Sequence, residues 1–359
     1  MTGGASRYHY IDGLRAIAVL SVVVFHSLVG EGTFHNVALP AIQNMGARGV
    51  DLFFVLSGFC LSLPYLKEAR ESGSLKIDFG VFLSRRLARI TPPYYVALMI
   101  FTILAATPFG YPSTWAPSVA ALDGAGPREF FADLFFLTTR QPVANGAFWT
   151  LGIEMRWYLV CPLVIALYVR SRVAFAALLV AAYALYYVPQ QHILDFGTLP
   201  AFMLGVVAAD LSLRPSRMRA PFAIATILVL VATIYEQAVN DAVNHADPLW
   251  HVTFFALVVA SRTPFVMRAL ASRPLVFIGT ASYSVYLIHL PIIDWFESIG
   301  ATPLLAGAIG ILLGIVFWAL VERPLVATVP REALAGGIRC FFRRYARAPI
   351  IVRRAEFDS

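Results

Sequence analysis

Two residues of the first apolar segment have types and spacing suited to acyl or proton transfer. Arg15 and His26 are 11 residues apart, which at 100° per residue places them on one helix face, separated by about 16 Å of rise. Histidine can act as a base or a nucleophile near neutral pH, and a guanidinium binds anions. Interfacial packing would also explain His26, and a charge anchor at the membrane surface would also explain Arg15.

A carboxylate on a later apolar segment is a third candidate. Glu154, Trp157, Tyr158 and Cys161 follow the spacing i, i+3, i+4, i+7 and share one helix face. A carboxylate on an aromatic face can act as an acid or base, or can orient a histidine. The alternative is a structural ion pair. Its candidate partners are three arginines: Arg15, Arg48 and Arg156.

Small and hydroxylated residues form two further patterns. Ser282, Tyr286 and His289 share a face at i, i+4, i+7, and interhelical hydrogen bonding explains them as well as a functional site does. Ser57 and Gly58 allow another backbone to approach closely, which is also how membrane helices ordinarily pack.

The depths of the ionisable groups predict a shared cavity. His26, Glu154 and His289 all fall in the outer half of their apolar segments. At the outer end of the second segment, Asp51 is expected either to pair with Arg48 or to cap the helix N-terminus.

The composition identifies the class of protein that must position these groups. The chain has 359 residues, of which 59% are hydrophobic and 14% are charged, and its mean hydropathy is +0.71. Soluble domains carry about 25% charged residues. The chain is also too apolar to remain disordered in water. Its three cysteines have no disulfide or zinc spacing, and we expect no metal. An all-α polytopic membrane protein is therefore predicted.

Ten apolar segments are long enough to be membrane spans, since a helix needs roughly 20 residues to cross the bilayer core. They run approximately over Leu14 to Val29, Val50 to Leu66, Pro92 to Thr107, Ala147 to Val169, Val173 to Val188, Ile193 to Leu213, Pro221 to Tyr235, Leu249 to Ser261, Leu275 to Phe296 and Pro303 to Val321.

The basic residues predict the orientation, because short cytoplasmic loops collect Lys and Arg. With ten spans, 24 of the 28 basic residues fall on the side that holds both termini. We therefore expect both termini in the cytoplasm. The net charge of +7 then reports orientation and requires no nucleic acid. The first span lacks a small-residue cleavage site, so it is not expected to be a signal peptide.

The domain organisation follows from these segments. Residues 1–328 are predicted to form the membrane domain, and residues 329–359 a basic cytoplasmic tail that lies on anionic lipid. Short amphipathic helices are predicted at residues 79–90, in the inner loop, and at residues 130–137, in the outer loop. The outer loop, from Pro108 to Gly146, is the longest external segment and is expected to set acceptor specificity.

Five motifs in order along the chain resemble the acyltransferase-3 family of integral membrane O-acyltransferases. They are Arg15 followed after ten residues by His26, Phe53-Phe-Val-Leu-Ser-Gly58, Arg86-Leu-Ala-Arg89 leading to Pro92-Pro-Tyr94, Trp149-Thr-Leu-Gly-Ile-Glu154 with Tyr158 and Pro162, and Ser282-Tyr-Ser-Val-Tyr-Leu-Ile-His289.

The resemblance implies ten helices in a bacterial inner membrane and a cytoplasmic acyl-CoA donor, usually acetyl-CoA. It also implies acylation of hydroxyls on surface or exported carbohydrates such as polysaccharide or lipopolysaccharide. Some relatives instead acylate macrolides, lipo-oligosaccharides or peptidoglycan. Many relatives carry an additional external hydrolase-like domain, and none is expected here. The expected partners are acyl-CoA, a glycan or lipid-linked saccharide acceptor, the lipid bilayer and glycan-assembly proteins, with no permanently bound cofactor.

The resemblance also suggests roles for the residues. His26 is expected to be the base or a transient acyl carrier, and Glu154 to hold its other ring nitrogen or to bind the acceptor, with Arg15 as the third catalytic group. The expected donor-binding residues are Arg85, Arg86, Arg89, Ser57 and Gly58. The expected acceptor-binding residues are Trp149, Trp157, Tyr158, Ser282, Tyr286 and His289. Positive-inside arginines and interface aromatics explain several of these residues equally well.

Two other classes of function fit the same residues. A transporter would use Glu154 and His26 as a proton relay. A non-catalytic anchor for a glycan-assembly complex would need neither residue.

Overall fold

A computed structural model shows how the chain positions these residues. It describes residues 8–29, 46, 48–105, 130–137, 145–186, 196–214, 224, 228, 229, 231, 232, 247–341 and 350–353.

The described chain is almost entirely helical. Its helices are α1 (His9–Val29), α2 (Gly49–Ser72), α3 (Phe79–Ala105), α4 (Trp149–Arg170), α5 (Arg172–Tyr186), α6 (Leu199–Ser212), α7 (Asp247–Ala260), α8 (Pro264–Leu270), α9 (Arg273–Ser298), α10 (Pro303–Phe317), α11 (Arg323–Thr328) and α12 (Arg331–Phe341). A π-helical turn, Trp318–Glu322, joins α10 to α11. The two strands are β1 (Ser74–Ile77) and β2 (Ile350–Arg353).

Six helices of the described chain are long and apolar enough to cross a membrane, or seven if α7 and α8, which meet at a bend of 100°, form one span. Helices α5 and α6 are apolar but shorter. The prediction of an all-α polytopic membrane protein is therefore confirmed. The predicted span from Pro221 to Tyr235 lies almost wholly outside the described residues, and the count of ten and the side of the termini stay predictions.

Two helix pairings organise the bundle. Helix α1 packs against α9 and α10, and α2 packs against α6. The α2–α6 crossing is close because both helices carry glycine at the contact. A Cβ on Gly58 would overlap the carbonyl oxygen of Phe202, and one on Gly205 would overlap that of Val55. Small residues permit this approach between membrane helices.

Helix α3 corrects one prediction. The amphipathic segment 79–90 and the following span were expected to be separate at Pro92, but the structure has a single helix of 27 residues that continues through Pro92 and Pro93. Prolines are tolerated inside membrane helices, and side chains donate hydrogen bonds to two carbonyl oxygens of this turn. The Thr91 hydroxyl donates to the carbonyl oxygen of Leu87 at 2.7 Å, and the Tyr283 hydroxyl to that of Ile90 at 2.9 Å.

The described part of the C-terminal tail folds back onto the segment that joins α2 to α3 and onto the start of α3. Helix α12 packs against α3, and Arg339 Nη2 lies 2.9 Å from Asp78 Oδ2. Strand β2 pairs antiparallel with β1, with Ile350 opposite Ile77. Neither strand was predicted, because four residues are too few for an alternating pattern to stand out.

Candidate functional site

A cavity of about 100 Å³ lies among α1, α2, α3, α4 and α9. Several of its lining residues were predicted from the sequence to be functional. These are Arg15, Ser57, Arg86, Arg89, Glu154, Tyr158, Ser282 and Tyr286.

Other predicted residues lie outside the lining. Gly58 faces α6, and Arg85 is exposed. The indole Nε1 of Trp157 donates to Thr198 Oγ1 at 2.8 Å, which fixes this side chain in the protein core. Trp149 packs against the same core.

Of the three groups predicted to share a cavity, only Glu154 lines this one. His26 and His289 contact each other, and the ring of the lining residue Tyr286 lies 5.5 Å from that of His289.

Glu154 is held by hydroxyl groups from two helices. Ser57 Oγ on α2 donates to Glu154 Oε1 at 3.0 Å, and the Tyr158 hydroxyl, one turn along α4, donates to the same oxygen. Both residues line the cavity with the carboxylate. Hydrogen bonds of this kind satisfy a charged group removed from water and fix its direction.

Three guanidinium groups, those of Arg15, Arg86 and Arg89, line the cavity. Arg15 Nη1 lies 3.3 Å from Asp12 Oδ1, and Arg15 Nη2 donates to Cys60 Sγ at 3.4 Å. Arg86 and Arg89 enter from α3, one turn apart. The Nε of Arg86 is buried and has no hydrogen-bond acceptor among the described residues. Such a set of donors suits an anionic ligand, since guanidinium groups bind phosphates through paired hydrogen bonds.

The two histidines form a hydrogen-bonded pair between α1 and α9. His289 Nε2 lies 2.9 Å from His26 Nδ1, and His289 Nδ1 lies 2.7 Å from the carbonyl oxygen of Tyr286. A carbonyl oxygen only accepts, so His289 Nδ1 carries the proton. In the neutral pair His289 Nε2 then accepts from His26 Nδ1, and the lone pair of His26 is on Nε2.

The packing around the pair gives the two rings different exposure. His289 is completely buried, whereas His26 is partly exposed. The side chain that contacts Nδ1 of His26 is thus His289. Glu154, the residue expected either to hold this nitrogen or to bind the acceptor, instead accepts hydrogen bonds from Ser57 and Tyr158 in the cavity. In this arrangement His289 fixes the ring of His26, and Nε2 of His26 can act as a base.

Tyr286 connects the histidine pair to the cavity. Its ring lines the cavity and its centroid lies 5.5 Å from that of His289. Its hydroxyl and Thr150 Oγ1 are 2.7 Å apart. Asn145, which precedes α4, is hydrogen-bonded to α9, because its Nδ2 donates to the carbonyl oxygen of Leu287 at 2.8 Å.

Four residues near the site were not predicted from the sequence. Thr150, Asn145 and Tyr283 have types too common to stand out. Glu322 had a usable signal, because it is ionisable and follows an apolar segment directly. It is buried, and Ser284 donates a hydrogen bond to it. Its π-helical turn is a feature often found at functional sites.

A separate polar cluster lies at the N-terminal end of α2. Asp51 Oδ2 is 3.6 Å from Arg48 Nη1, so the predicted pairing is present. His251 Nε2 is 3.5 Å from Asp51 Oδ1. No group of three His, Cys, Asp or Glu that could hold a metal ion occurs in the part of the chain that the structure describes.

Comparison with known proteins shows what the chain as a whole is similar to. The chain is 26% identical over 344 residues to the O-acetyltransferase OatA of Staphylococcus aureus (strain NCTC 8325 / PS 47), covering 84% of this chain and 54% of the relative. It is 26% identical over 404 residues to the "Putative peptidoglycan O-acetyltransferase YrhL" of Bacillus subtilis (strain 168), covering 97% of this chain and 58% of the relative.

The chain thus spans about three fifths of the length of the curated relatives it matches. No solved structure matches it significantly. The family defined by an acyltransferase domain matches residues 8–323, which include every helix from α1 to α10 and both histidines of the pair. On the strength of that match, the chain belongs to the acyltransferase-3 family of membrane proteins.

Proposed function

We propose that this protein transfers an acyl group, most simply acetyl, from acyl-CoA to a hydroxyl of a cell-surface or exported glycan. The observation that carries the proposal is the His26–His289 pair, which Tyr286 connects to a cavity lined by three arginines. An O-acyl transfer needs a base for the hydroxyl and cations for the phosphates of coenzyme A, and these two features supply both.

The donor binds through the arginine end of the cavity. Arg86 and Arg89 supply the donors for an anion, because Arg15 is already paired with Asp12 and the buried Nε of Arg86 has no acceptor among the described residues. The 24 basic residues predicted on one face orient this end toward the cytoplasm, where acyl-CoA is made. No cofactor stays bound between turnovers.

The transfer itself uses His26 as the base. The acceptor oxygen attacks the thioester carbonyl carbon while its proton moves to Nε2 of His26. A carbon–oxygen bond forms and the carbon–sulfur bond breaks. The coenzyme A thiolate then takes the proton from His26. His289 positions the ring through its contact at Nδ1, and Glu154 binds the acceptor.

The acceptor class is supported by the relatives. One of those named above is an O-acetyltransferase, and the other is named "Putative peptidoglycan O-acetyltransferase YrhL". A glycan acceptor on the outer side of a bacterial inner membrane is consistent with His26 in the outer half of α1. Macrolide acylation is an alternative for the same chemistry.

Radiolabelled acetyl-CoA supplied to sealed membrane vesicles tests the proposal. Label is expected on glycan in the wild type and is expected to fall by about 10²- to 10⁴-fold in His26→Ala, the contribution usual for a general base. His9→Ala is the matched control, because His9 is exposed at the start of α1.

Two results would contradict the proposal. Undiminished labelling in His26→Ala would remove the histidine from the chemistry. Accumulation of acyl-CoA or acetate inside the vesicles, without label on any hydroxyl, would instead identify a transporter.

A further inference from the structure

A second basic site lies at the ends of three other helices, away from the cavity. It comprises Arg70 on α2, Arg172 on α5, and Asp210 and Arg214 on and just after α6. None of these four residues lines the cavity, and the transfer proposed above uses none of them.

One carboxylate holds the three guanidinium groups together. Asp210 Oδ1 lies 2.7 Å from Arg70 Nη2, and Asp210 Oδ2 lies 3.0 Å from Arg214 Nη2 and 3.7 Å from Arg172 Nη2. The guanidinium of Arg172 also stacks on Tyr168, with 3.4 Å between its carbon and the ring centroid. Like charges would otherwise repel, so Asp210 and Tyr168 preorganise a cationic cluster.

The cluster keeps both charge and donors for a ligand. Three arginines against one aspartate leave two positive charges uncompensated among these four residues. Asp210 is only 2% exposed, whereas the arginine side chains are 36% to 54% exposed. Each guanidinium has five N–H donors, so Asp210 occupies only a fraction of them. The carboxylate is buried beneath the three arginine side chains, which reach the surface, and the buried Nη1 of Arg172 has no hydrogen-bond acceptor among the described residues.

An apolar surface continues from the cluster along α5. Arg172 is the first residue of this helix. Val173, Val180 and Leu185 are 80%, 68% and 43% exposed. The helix has 15 residues, which corresponds to about 22 Å of length. A cationic group at the start of an exposed apolar helix matches a ligand with an anionic head and hydrocarbon chains.

We propose that Arg70, Arg172 and Arg214 bind the phosphodiester of an anionic phospholipid whose acyl chains lie along α5. Basic pockets between the ends of membrane helices are where such headgroups bind. A free phosphate would use the same guanidinium groups but would gain nothing from the apolar surface of α5. The site therefore favours the lipid.

Native mass spectrometry of the full chain, released from micelles containing equal amounts of phosphatidylglycerol and phosphatidylcholine, measures the binding. The wild type is expected to retain phosphatidylglycerol about 10-fold more than phosphatidylcholine, and the double variant Arg172→Gln/Arg214→Gln to lose that preference. Arg172→Lys/Arg214→Lys retains the charges and should keep most of it. Arg268→Gln removes an exposed arginine of α8 and should change nothing.

Two outcomes overturn the proposal. One is an unchanged lipid preference in the double glutamine variant with an unchanged melting temperature. The other is displacement of phosphatidylglycerol by millimolar inorganic phosphate or coenzyme A, which would make a soluble phosphate the ligand. If the double glutamine variant does not fold, the variant Arg172→Lys/Arg214→Lys is used instead. Competition with inorganic phosphate and coenzyme A in that variant still decides between a lipid and a soluble phosphate.

Discussion

His26 Nδ1 and His289 Nε2 lie 2.9 Å apart, although the two residues are 263 positions apart in the chain. The contact joins α1 to α9, and the second nitrogen of His289 is held by the backbone of its own helix. The direction of the His26 ring is therefore set by α9. A base fixed in this way loses little free energy to reorientation during the reaction.

Replacement of His289 by glutamine or alanine tests this positioning role. Glutamine can present an oxygen near the place of Nε2, whereas alanine removes the acceptor. We expect His289→Ala to lower kcat by about 10- to 100-fold with little change in KM, and His289→Gln to recover part of the loss. The measurement is initial-rate transfer of labelled acetyl groups in vesicles. Equal losses in both variants, accompanied by a lower melting temperature, would indicate a purely structural role.

Arg86 and Arg89 are expected to bind the phosphates of the acyl-CoA donor. Arg86→Gln or Arg89→Gln should raise KM for acetyl-CoA about 10-fold or more, because a hydrogen bond to a charged group contributes about 1.5–3 kcal/mol. Arg273→Gln, on an exposed arginine at the start of α9, is the matched control.

Acetyl-pantetheine makes the same experiment specific for phosphate recognition. This donor has the thioester but no phosphates, so both glutamine variants should use it as well as the wild type does. A similar KM increase for both donors would show that these arginines support the fold rather than bind phosphate.

The close contact of α2 and α6 at their glycines predicts that two glycine-to-alanine changes alter the stability of the protein in opposite directions. Gly58→Ala is expected to destabilise the protein by about 1–3 kcal/mol, because its Cβ would overlap the backbone of α6. Gly336→Ala in α12 has no atom within 4 Å of the added Cβ, and should stabilise that helix by about 0.5–1 kcal/mol. Thermal unfolding in detergent measures both, and equal melting temperatures would contradict the close crossing.

Asp78 caps the N-terminal end of α3 and also pairs with the C-terminal tail. It accepts a hydrogen bond from the backbone N–H of Val81 at 2.9 Å and pairs with Arg339. Partial burial favours the neutral acid, but these hydrogen bonds outweigh it and hold the pKa of Asp78 below its ordinary value. A lowered pKa means that the stabilisation is complete above about pH 4 and is lost as the pH falls through the lowered value.

Two variants of Asp78 separate the helix cap from the ion pair. Asp78→Ala should cost about 1 kcal/mol of cap stability, whereas Asp78→Asn keeps a cap and loses only an exposed ion pair, which contributes about 0–1 kcal/mol. Amide hydrogen exchange in α12 and the start of α3 measures both. The exchange rate of the wild type should approach that of Asp78→Ala as the pH falls from 5 to about 3. Exchange in the wild type that does not change with pH, after correction for intrinsic rates, would contradict this role.

Local patterns in the sequence predicted much of the site. Arg15, Glu154 and Tyr286 were identified because ionisable or hydroxylated residues are rare in apolar segments, and all three line one cavity. The helical class followed from hydropathy alone. These inferences depend only on composition and on spacing within a single helix.

Contacts between helices could not be predicted in this way. Nothing in the spacing of α1 or α9 indicates that His289 contacts His26, because that contact depends on how the two helices pack. Trp157 shows the same limit. It shares a helix face with Glu154, but its indole reaches Thr198 and lies outside the cavity lining. The pairing of β1 with β2 is more remote still, since it joins segments more than 270 residues apart.

The placement of Arg15 and His26 on one continuous helix also makes α1 a molecular ruler. The helix is unbroken from His9 to Val29, so the two residues are held about 16 Å apart along its axis. A donor whose phosphates contact Arg15 can react beside His26 only if its thioester lies at that distance from them. Shortening or lengthening the arm of a synthetic donor should therefore reduce turnover in both directions.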